Sequence, residues 1–119
     1  MQITLTREFI FDAAQALTVF PEGHKCRQLH GHTFRVQISV TGEIDQKTGM
    51  LYDHAIIAQK VRPIIELIDH RYLNEIEGLE NPTLENLSFW FWERLKNELP
   101  DLSEIVVYET PTAWCRFTG

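Results

Sequence analysis

The sequence predicts an α+β fold with the element order β-β-α-α-β-β, in which two helices cover one face of a four-stranded antiparallel sheet. Three observations lead to this prediction. Apolar and polar residues alternate along the first forty residues, apolar residues recur at helical spacing through the middle, and alternation returns near the end. A period of two is typical of half-buried strands, and a spacing of three to four is typical of amphipathic helices. Strands, then helices, then strands form a layered α+β domain.

Two long strands are predicted at the start of the chain. Odd-numbered residues between 3 and 13 are mostly apolar, and Gln15 continues the same face. Even-numbered residues between 34 and 40 form the apolar face of the second strand, and His30 and His32 extend that face towards its start. Successive side chains of a strand point to opposite sides of a sheet. If the two strands pair, the two imidazoles and the Gln15 amide therefore face inward beside one another.

Two helices are predicted in the middle of the chain. Asp53 is a suitable N-cap for the first, and Pro63 falls inside its pattern, where a kink or an early end is expected. Thr83 is the predicted N-cap of the second helix, which runs from residue 84 to about residue 99 and ends at Pro100. The first helix is identified by apolar residues at helical spacing, namely Ile57, Val61, Ile64, Ile65 and Ile68.

A hairpin is predicted at the end of the chain, with strands over 105–109 and 113–118 joined by a Thr-Pro-Thr turn. Four strands in an open sheet leave two edges with unpaired backbone groups. Association of several copies through these edges would cover them. The sequence therefore predicts a homo-oligomer.

Composition limits the classes of function. The length of 119 residues predicts one domain spanning 1–119, and a hydrophobic content of 44% suffices for a packed core. No apolar run approaches the roughly 20 residues of a membrane helix, and no signal-peptide block is present, so no membrane contact and a cytoplasmic location are expected. Cys26 and Cys115 are then expected to be reduced. A net charge of −6 without a basic stripe argues against nucleic acid as a partner.

The most informative motif runs from Cys26 to His32. Imidazoles at positions i and i+2 of an extended segment lie on one side, with Cα atoms roughly 6.5 Å apart, so His30 and His32 can reach one metal ion. Such a site needs at least one more protein ligand, and a catalytic site also keeps a position open. Cys26 lies between Lys25 and Arg27, and positive neighbours are typical of reactive cysteines.

Two further positions are candidates for chemistry. The pair Asp69-His70 closes the first predicted helix; its cooperation with Cys26 requires proximity in space, which the sequence does not decide. Glu109 has the parity of the buried face of its strand. A buried carboxylate without a partner is costly, so a partner is expected, and a ligand presenting N–H groups would be one.

Taken together, these elements resemble the 6-pyruvoyl-tetrahydropterin synthase and 6-carboxy-tetrahydropterin synthase family over nearly the whole chain. The short length and the Glu-Gly-His-Lys-Cys loop look most like the bacterial 6-carboxy branch, which serves synthesis of the 7-deazapurine precursor of queuosine. Each motif alone is weak, but their common order and spacing are specific. The motifs are Phe11-Asp12-Ala13-Ala14, Glu22-Gly23-His24-Lys25-Cys26, Leu29-His30-Gly31-His32, Gly49, Asp53, Asp69-His70, Leu73-Asn74, Asn81-Pro82-Thr83, Glu85-Asn86 and Glu109-Thr110.

The resemblance implies the T-fold, in which subunits join their sheets into barrels, often as hexamers with active sites between subunits. It implies conversion of 7,8-dihydroneopterin triphosphate to 6-carboxy-5,6,7,8-tetrahydropterin, with loss of acetaldehyde and triphosphate. The roles implied by position are zinc ligands at His30 and His32, a proton acceptor at Cys26, support of proton transfer at Asp69 and His70, and pterin contacts at Glu109 and Thr83.

Gln15 departs from the family pattern, which places a third histidine ligand directly after Ala13-Ala14. Three explanations are open. Gln15 ligates through its oxygen in a weaker site that accepts zinc or another divalent metal; or His24, His54 or a water completes the sphere; or the chain binds metal poorly. We favour a retained metal of lower affinity.

Alternative functions follow from the same residues. One is the 6-pyruvoyl synthase reaction or cleavage of the side chain of a sepiapterin-like pterin. The other is a weakly active or non-catalytic pterin- or metal-binding role, which the glutamine at position 15 motivates.

Overall fold

A computed structural model describes residues 1–119 as one five-stranded sheet with two α-helices packed on one face. The elements are β1 (Gln2–Gln15), β2 (His30–Glu43), α1 (His54–Glu66), β3 (Arg71–Tyr72), α2 (Leu84–Leu95), β4 (Leu102–Thr110) and β5 (Ala113–Phe117). The strand order across the sheet is β3-β1-β2-β4-β5. The predicted α+β class and helix placement are confirmed. Neither helix is long and apolar enough to span a bilayer.

The strands β1 and β2 form a long antiparallel ladder, as their alternating patterns predicted. Gln15 pairs directly with His30, and His32 follows two residues later on the same face of β2. Further along the ladder, Phe11 and Phe34 pair and their rings stack with centroids 5.0 Å apart. Both rings are almost completely buried. The polar end of the β1–β2 ladder is therefore directly next to the aromatic core.

Both predicted helix N-caps are confirmed. The Asp53 side chain accepts the backbone N–H of Ala55, and the Thr83 hydroxyl accepts the backbone N–H of Asn86. Each contact satisfies a helix-terminal donor that has no partner within the helix. Pro63 lies inside α1 on its exposed side, and the helix continues beyond it. The early end considered at this proline is not observed.

The helix α2 is shorter than predicted, since it ends at Leu95 instead of near residue 99. The N–H of Leu99 still donates to the carbonyl oxygen of Leu95 at 2.8 Å, and Leu99 is fully buried. The apolar pattern therefore continues through a terminal turn after the regular helix has ended. The buried residues of this turn have the spacing of a helix, so the sequence alone does not show where the helix ends.

The fifth strand, β3, was not predicted. It has two residues and pairs in parallel with β1 at Ala13 and Ala14. The sheet is therefore mixed, and the prediction of four antiparallel strands is wrong in this respect. Two residues are too few for an alternation to be visible in a sequence. The pairing nevertheless matters, because it brings the end of α1 to the site-bearing end of β1.

Candidate functional site

Three polar side chains converge where the β1–β2 ladder ends. His30 Nδ1 donates to the carbonyl oxygen of Gln28 at 2.7 Å, which leaves Nε2 of the neutral ring as an acceptor. This Nε2 lies 3.4 Å from Nε2 of Gln15. The rings of His30 and His32 meet edge to face, with centroids 5.0 Å apart. Strand pairing thus gives the inward-facing cluster that the sequence predicted.

Gln15 is fully buried and links the histidine pair to Glu109. Its amide nitrogen donates to Glu109 Oε1 at 2.7 Å. The same carboxylate oxygen lies 3.5 Å from His32 Nε2. The amide oxygen of Gln15 is buried without a hydrogen-bond partner. Since a buried acceptor without a donor is costly, this oxygen is available to a cation or an N–H group of a ligand.

Burial lowers the pKa of His32 below its ordinary value of 6.5. The nearby Glu109 carboxylate acts in the opposite direction and raises this pKa, because it attracts the charged imidazolium. His30 lowers the pKa of His32 further. The net direction favours neutral His32. Neutral imidazole is the form that binds a metal ion.

Cys26 opens on a cavity of about 380 Å³ that both imidazoles also line. The cavity lies between the loop after β1, the start of β2 and the end of β4. Its lining residues are Lys25, Cys26, His30, His32, Glu109 and Thr110. The structure thus brings together the thiol, the histidine pair and the strand carboxylate that the sequence singled out.

Arg27 does not line this cavity, although it directly follows the thiol in the chain. Its guanidinium donates to the carbonyl oxygens of Thr18 at 2.5 Å and Phe20 at 2.7 Å. Arg27 therefore stabilises the loop between β1 and β2, and Lys25 is the cation that lines the cavity.

A second cluster joins Asp12, Asp69 and His70, whose side-chain ligand atoms all lie within 4.8 Å of one another. Asp69 Oδ1 accepts the backbone N–H of Asp12 at 3.0 Å and lies 3.0 Å from His70 Nδ1. The backbone N–H of His70 donates to the carbonyl oxygen of Asp12 at 2.6 Å. His70 has a φ of +59°, a conformation that costs a non-glycine residue about 1 kcal/mol. The contacts with β1 hold it there.

Two members of this second cluster line a different cavity of about 550 Å³. His70 and Asp12 line it, and His32 lines both cavities. Cys26 is not among the residues of the second cavity, and His70 is not among those of the first. Within one chain, the Asp69-His70 pair and the thiol therefore do not share a cavity.

Three other residues named by the sequence line neither of the two cavities. Thr83 caps α2 and lines neither cavity. His54 Nδ1 lies 2.9 Å from Nη1 of Arg7, which is roughly 26 Å along the extended strand from Gln15; His54 is thus wrong as a third ligand. His24 directs its Nδ1 at the backbone N–H of Cys26 instead, at 3.0 Å.

Sequence reasoning missed Asp12 as a member of the second cluster. Its carboxylate accepts the Thr33 hydroxyl at 2.5 Å, and its backbone binds Asp69 and His70 as described. In the sequence, Asp12 is one of many polar residues on the outward face of β1. Only the unpredicted strand β3 brings the Asp69-His70 pair beside it.

The donor set of the first cluster fits a divalent metal such as zinc. His30 and His32 offer Nε2 atoms. The Gln15 amide nitrogen faces His30 Nε2, so the buried, unpartnered oxygen of Gln15 would reach the ion once the amide turns over. Imidazole nitrogen with oxygen suits zinc, and oxygen donors also suit harder divalent cations. These three residues are the ones that would hold the ion.

Comparison with known proteins fixes the family. A sequence model described as 6-pyruvoyl tetrahydropterin synthase matches residues 4–119. The chain belongs to this family. A solved structure of the 6-pyruvoyl tetrahydropterin synthase of Caenorhabditis elegans superposes with a TM-score of 0.91 and 26% identity, covering 100% of this chain and 96% of that one. The T-fold expected from the sequence is therefore confirmed.

Relatives within the family carry different names. The 6-carboxy-5,6,7,8-tetrahydropterin synthase of Synechocystis sp. is 37% identical over 117 residues, which cover 93% of this chain and 89% of the relative. The dihydroneopterin monophosphate aldolase of Pyrococcus furiosus is 39% identical over 90 residues, which cover 76% and 72%. The 6-pyruvoyl tetrahydrobiopterin synthase of Drosophila melanogaster is 34% identical over 115 residues, which cover 89% and 67%. The family is therefore shown, and the choice among its reactions is a matter for proposal.

Proposed function

We propose that this family member is a 6-carboxy-5,6,7,8-tetrahydropterin synthase that acts on 7,8-dihydroneopterin triphosphate and releases acetaldehyde and triphosphate. The observation that carries the proposal is the shared cavity of Cys26, His30, His32 and Glu109. It is supported by the 37% identity to the Synechocystis synthase across most of both chains. The corresponding biological role is synthesis of a queuosine precursor in the cytoplasm.

Glu109 is the proposed anchor of the pterin ring. Its Oε1 already accepts one N–H, from Gln15 at 2.7 Å, and a carboxylate has a second oxygen to offer. A pterin presents adjacent N–H groups, which a carboxylate can accept as a pair. This contact would orient the ring so that its side chain extends towards the histidines and the thiol.

Cys26 is the proposed proton acceptor. A thiolate at the cavity wall can take a proton from the substrate side chain, and positioned acid–base groups of this kind contribute about 10²–10⁴-fold in rate. A divalent metal bound at His30, His32 and Gln15 would supply Lewis acidity that polarises the side-chain oxygens. Since an amide oxygen is a weaker ligand than imidazole, lower metal affinity is part of the proposal.

Asp69 and His70 are proposed to support proton transfer in the active site of a neighbouring copy. Within one chain His70 lines a cavity other than that of Cys26, and Asp69 lines neither of the two. The imidazole is largely exposed, with 77% of its side-chain surface accessible, so another subunit can contact it. A homo-oligomer, expected to be a hexamer, would then have sites built between subunits.

Thr83 is proposed as a further pterin contact on the same basis. It lines neither cavity of its own chain, so this role also depends on a neighbouring copy.

A second candidate is the aldol cleavage of dihydroneopterin monophosphate. Of the two basic residues beside the thiol, Lys25 faces the cavity and Arg27 is bound to loop carbonyl oxygens. One cation matches a single phosphate, with a charge of about −1.5 to −2, better than a triphosphate. The 39% identity to the Pyrococcus aldolase supports this alternative.

The test is product analysis with a defined set of substrates. Purified protein, with its metal content measured, is incubated with dihydroneopterin triphosphate and, separately, with the monophosphate. Acetaldehyde and 6-carboxytetrahydropterin from the triphosphate support the proposal. The pyruvoyl product indicates the 6-pyruvoyl reaction, and cleavage of the monophosphate alone indicates the aldolase. Binding of either pterin without turnover indicates a non-catalytic relative.

A further inference from the structure

The loop between β1 and β2 holds the backbone of Cys26 at both of its polar groups. The N–H of Cys26 donates to His24 Nδ1 at 3.0 Å. Its carbonyl oxygen accepts the N–H of Leu17 at 2.8 Å. The two peptide groups that flank the thiol-bearing carbon are therefore both fixed, one by a side chain and one by a backbone group of the loop just after β1.

The imidazole that makes the first contact is itself held in place. The rings of His24 and Phe20 stack with centroids 4.0 Å apart and planes 6° from parallel. The backbone N–H of His24 donates to the carbonyl oxygen of Pro21 at 3.1 Å. The Arg27 guanidinium binds the carbonyl oxygen of Phe20 at 2.7 Å. Stack and loop contacts together leave the imidazole ring little freedom to turn away from Cys26.

We propose that His24 is a positioning residue that fixes Cys26 for proton transfer by accepting its backbone N–H. The inference rests on the proposed function, in which the Cys26 thiol receives the proton. An ångström of misplacement at a reacting group can cost about 10²-fold in rate. Because the contact spans only two residues of the chain, we expect its loss to affect the loop and to leave the sheet and the helices in place.

The proposed role of residue 24 requires a side-chain hydrogen-bond acceptor. Substitutions can test this acceptor separately from the stacking of the ring on Phe20. His24→Phe keeps a ring against Phe20 and removes the acceptor. His24→Asn removes the ring and keeps an acceptor, because asparagine Oδ1 occupies the same δ position as histidine Nδ1. Asparagine is also among the residues preferred where a side chain accepts a backbone N–H at the start of a helical turn.

The experiment compares wild type, His24→Phe and His24→Asn by two measurements. The first is hydrogen exchange of the Cys26 amide, which reads the contact without any substrate. We expect His24→Phe to raise the exchange rate by about fivefold, the factor that corresponds to a lost cap, and His24→Asn to restore protection. The second is steady-state turnover of dihydroneopterin triphosphate. Here we expect kcat to fall about tenfold or more in His24→Phe, with KM within about twofold, and to be rescued in His24→Asn.

Each outcome decides a separate part of the inference. Unchanged exchange of the Cys26 amide in His24→Phe overturns it. If His24→Phe raises the exchange rate and leaves kcat unchanged, the contact exists but the positioning role is overturned. A rise in KM alone also overturns the positioning role. If wild type turns over no pterin, the proposed function fails and the role in proton transfer fails with it, while the exchange result still shows whether His24 holds Cys26.

Discussion

The side chain of Gln15 occupies the point where two imidazoles and a carboxylate come together. Its nitrogen donates to Glu109, at 2.7 Å, and faces His30, while its oxygen has no partner. A residue with these contacts connects the metal ligands to the pterin anchor of the proposed mechanism. The strength of metal binding and the position of the carboxylate are thus expected to depend on the same side chain.

Replacing Gln15 with histidine tests the metal site. We expect Gln15→His to bind zinc at least about tenfold more tightly than wild type, because imidazole is a better zinc donor than a neutral amide. Gln15→Leu, which has no donor atom, should bind more weakly than both. The measurement is competitive titration against a zinc-binding dye. Equal affinity of wild type and Gln15→His would show that residue 15 does not contact the ion.

The lowered pKa of His32 predicts how stability changes with pH in metal-free protein. Below pH 6.5 the unfolded chain protonates this imidazole, while the folded chain resists protonation until a lower pH. The unfolded state therefore binds more protons in this window, and the free energy of unfolding decreases as the pH falls from 6.5 towards the folded pKa. Urea unfolding of chelator-treated protein at a series of pH values measures this.

The control for this pH dependence is His32→Asn, which removes the titrating group. It should show a shallower loss of stability below pH 6.5 than wild type. A pH slope that is the same in both proteins would assign the effect to other groups.

At the scale of elements, Thr83 shows how one side chain serves a helix and, by proposal, a ligand. Its hydroxyl accepts the N–H of Asn86 at 3.1 Å at the start of α2. We expect Thr83→Ala to lower the free energy of unfolding by about 1 kcal/mol, and Thr83→Ser to leave it nearly unchanged, because serine keeps the capping oxygen. Chemical denaturation measures both. A destabilisation of similar size in Thr83→Ser would point to the lost methyl group instead of the cap.

The long elements and the first cluster were predictable from the sequence, because a single local rule governs each of them. Alternation fixed the inward face of β1 and β2, so the placement of Gln15 beside His30 followed from pairing alone. The Asp69-His70 cluster was not predictable in this way. Its position depends on a two-residue strand and on the left-handed backbone of His70, neither of which leaves a periodic signal. The end of α2 was missed because a buried turn repeats the helical pattern.

At the scale of the whole molecule, the sheet has edges that one chain leaves open. The strand β3 covers β1 only at Ala13 and Ala14, so the outer edge of β1 is unpaired over residues 2–11. On the other side, β5 is the last strand. Such edges usually pair or are protected, which supports the proposed homo-oligomer. The sequence could not show which cavities of neighbouring copies meet, since that depends on how these edges join.

Mixed oligomers test whether two copies build one active site. Cys26→Ala and His70→Ala are each expected to be inactive alone. If the thiol and the imidazole act across a subunit boundary, random mixing of equal amounts of the two variants makes about a quarter of all sites intact. Such a site takes its thiol from the His70→Ala chain and its imidazole from the Cys26→Ala chain. Turnover after unfolding and refolding the variants together, compared with refolding them separately, measures this. No recovery in oligomers shown to be mixed would place both residues in a site within one chain.

The Cys26 cavity is proposed to be the place where the side chain of a reduced pterin is cleaved. The most direct measurement is acetaldehyde release from dihydroneopterin triphosphate by metal-loaded wild type and by Cys26→Ala, with Cys115→Ser as the matched control. We expect acetaldehyde in equal amount to 6-carboxytetrahydropterin from wild type and Cys115→Ser, and a loss of at least about 10²-fold in the rate of release in Cys26→Ala. Undiminished release by Cys26→Ala, or none from folded, metal-loaded wild type, would contradict it.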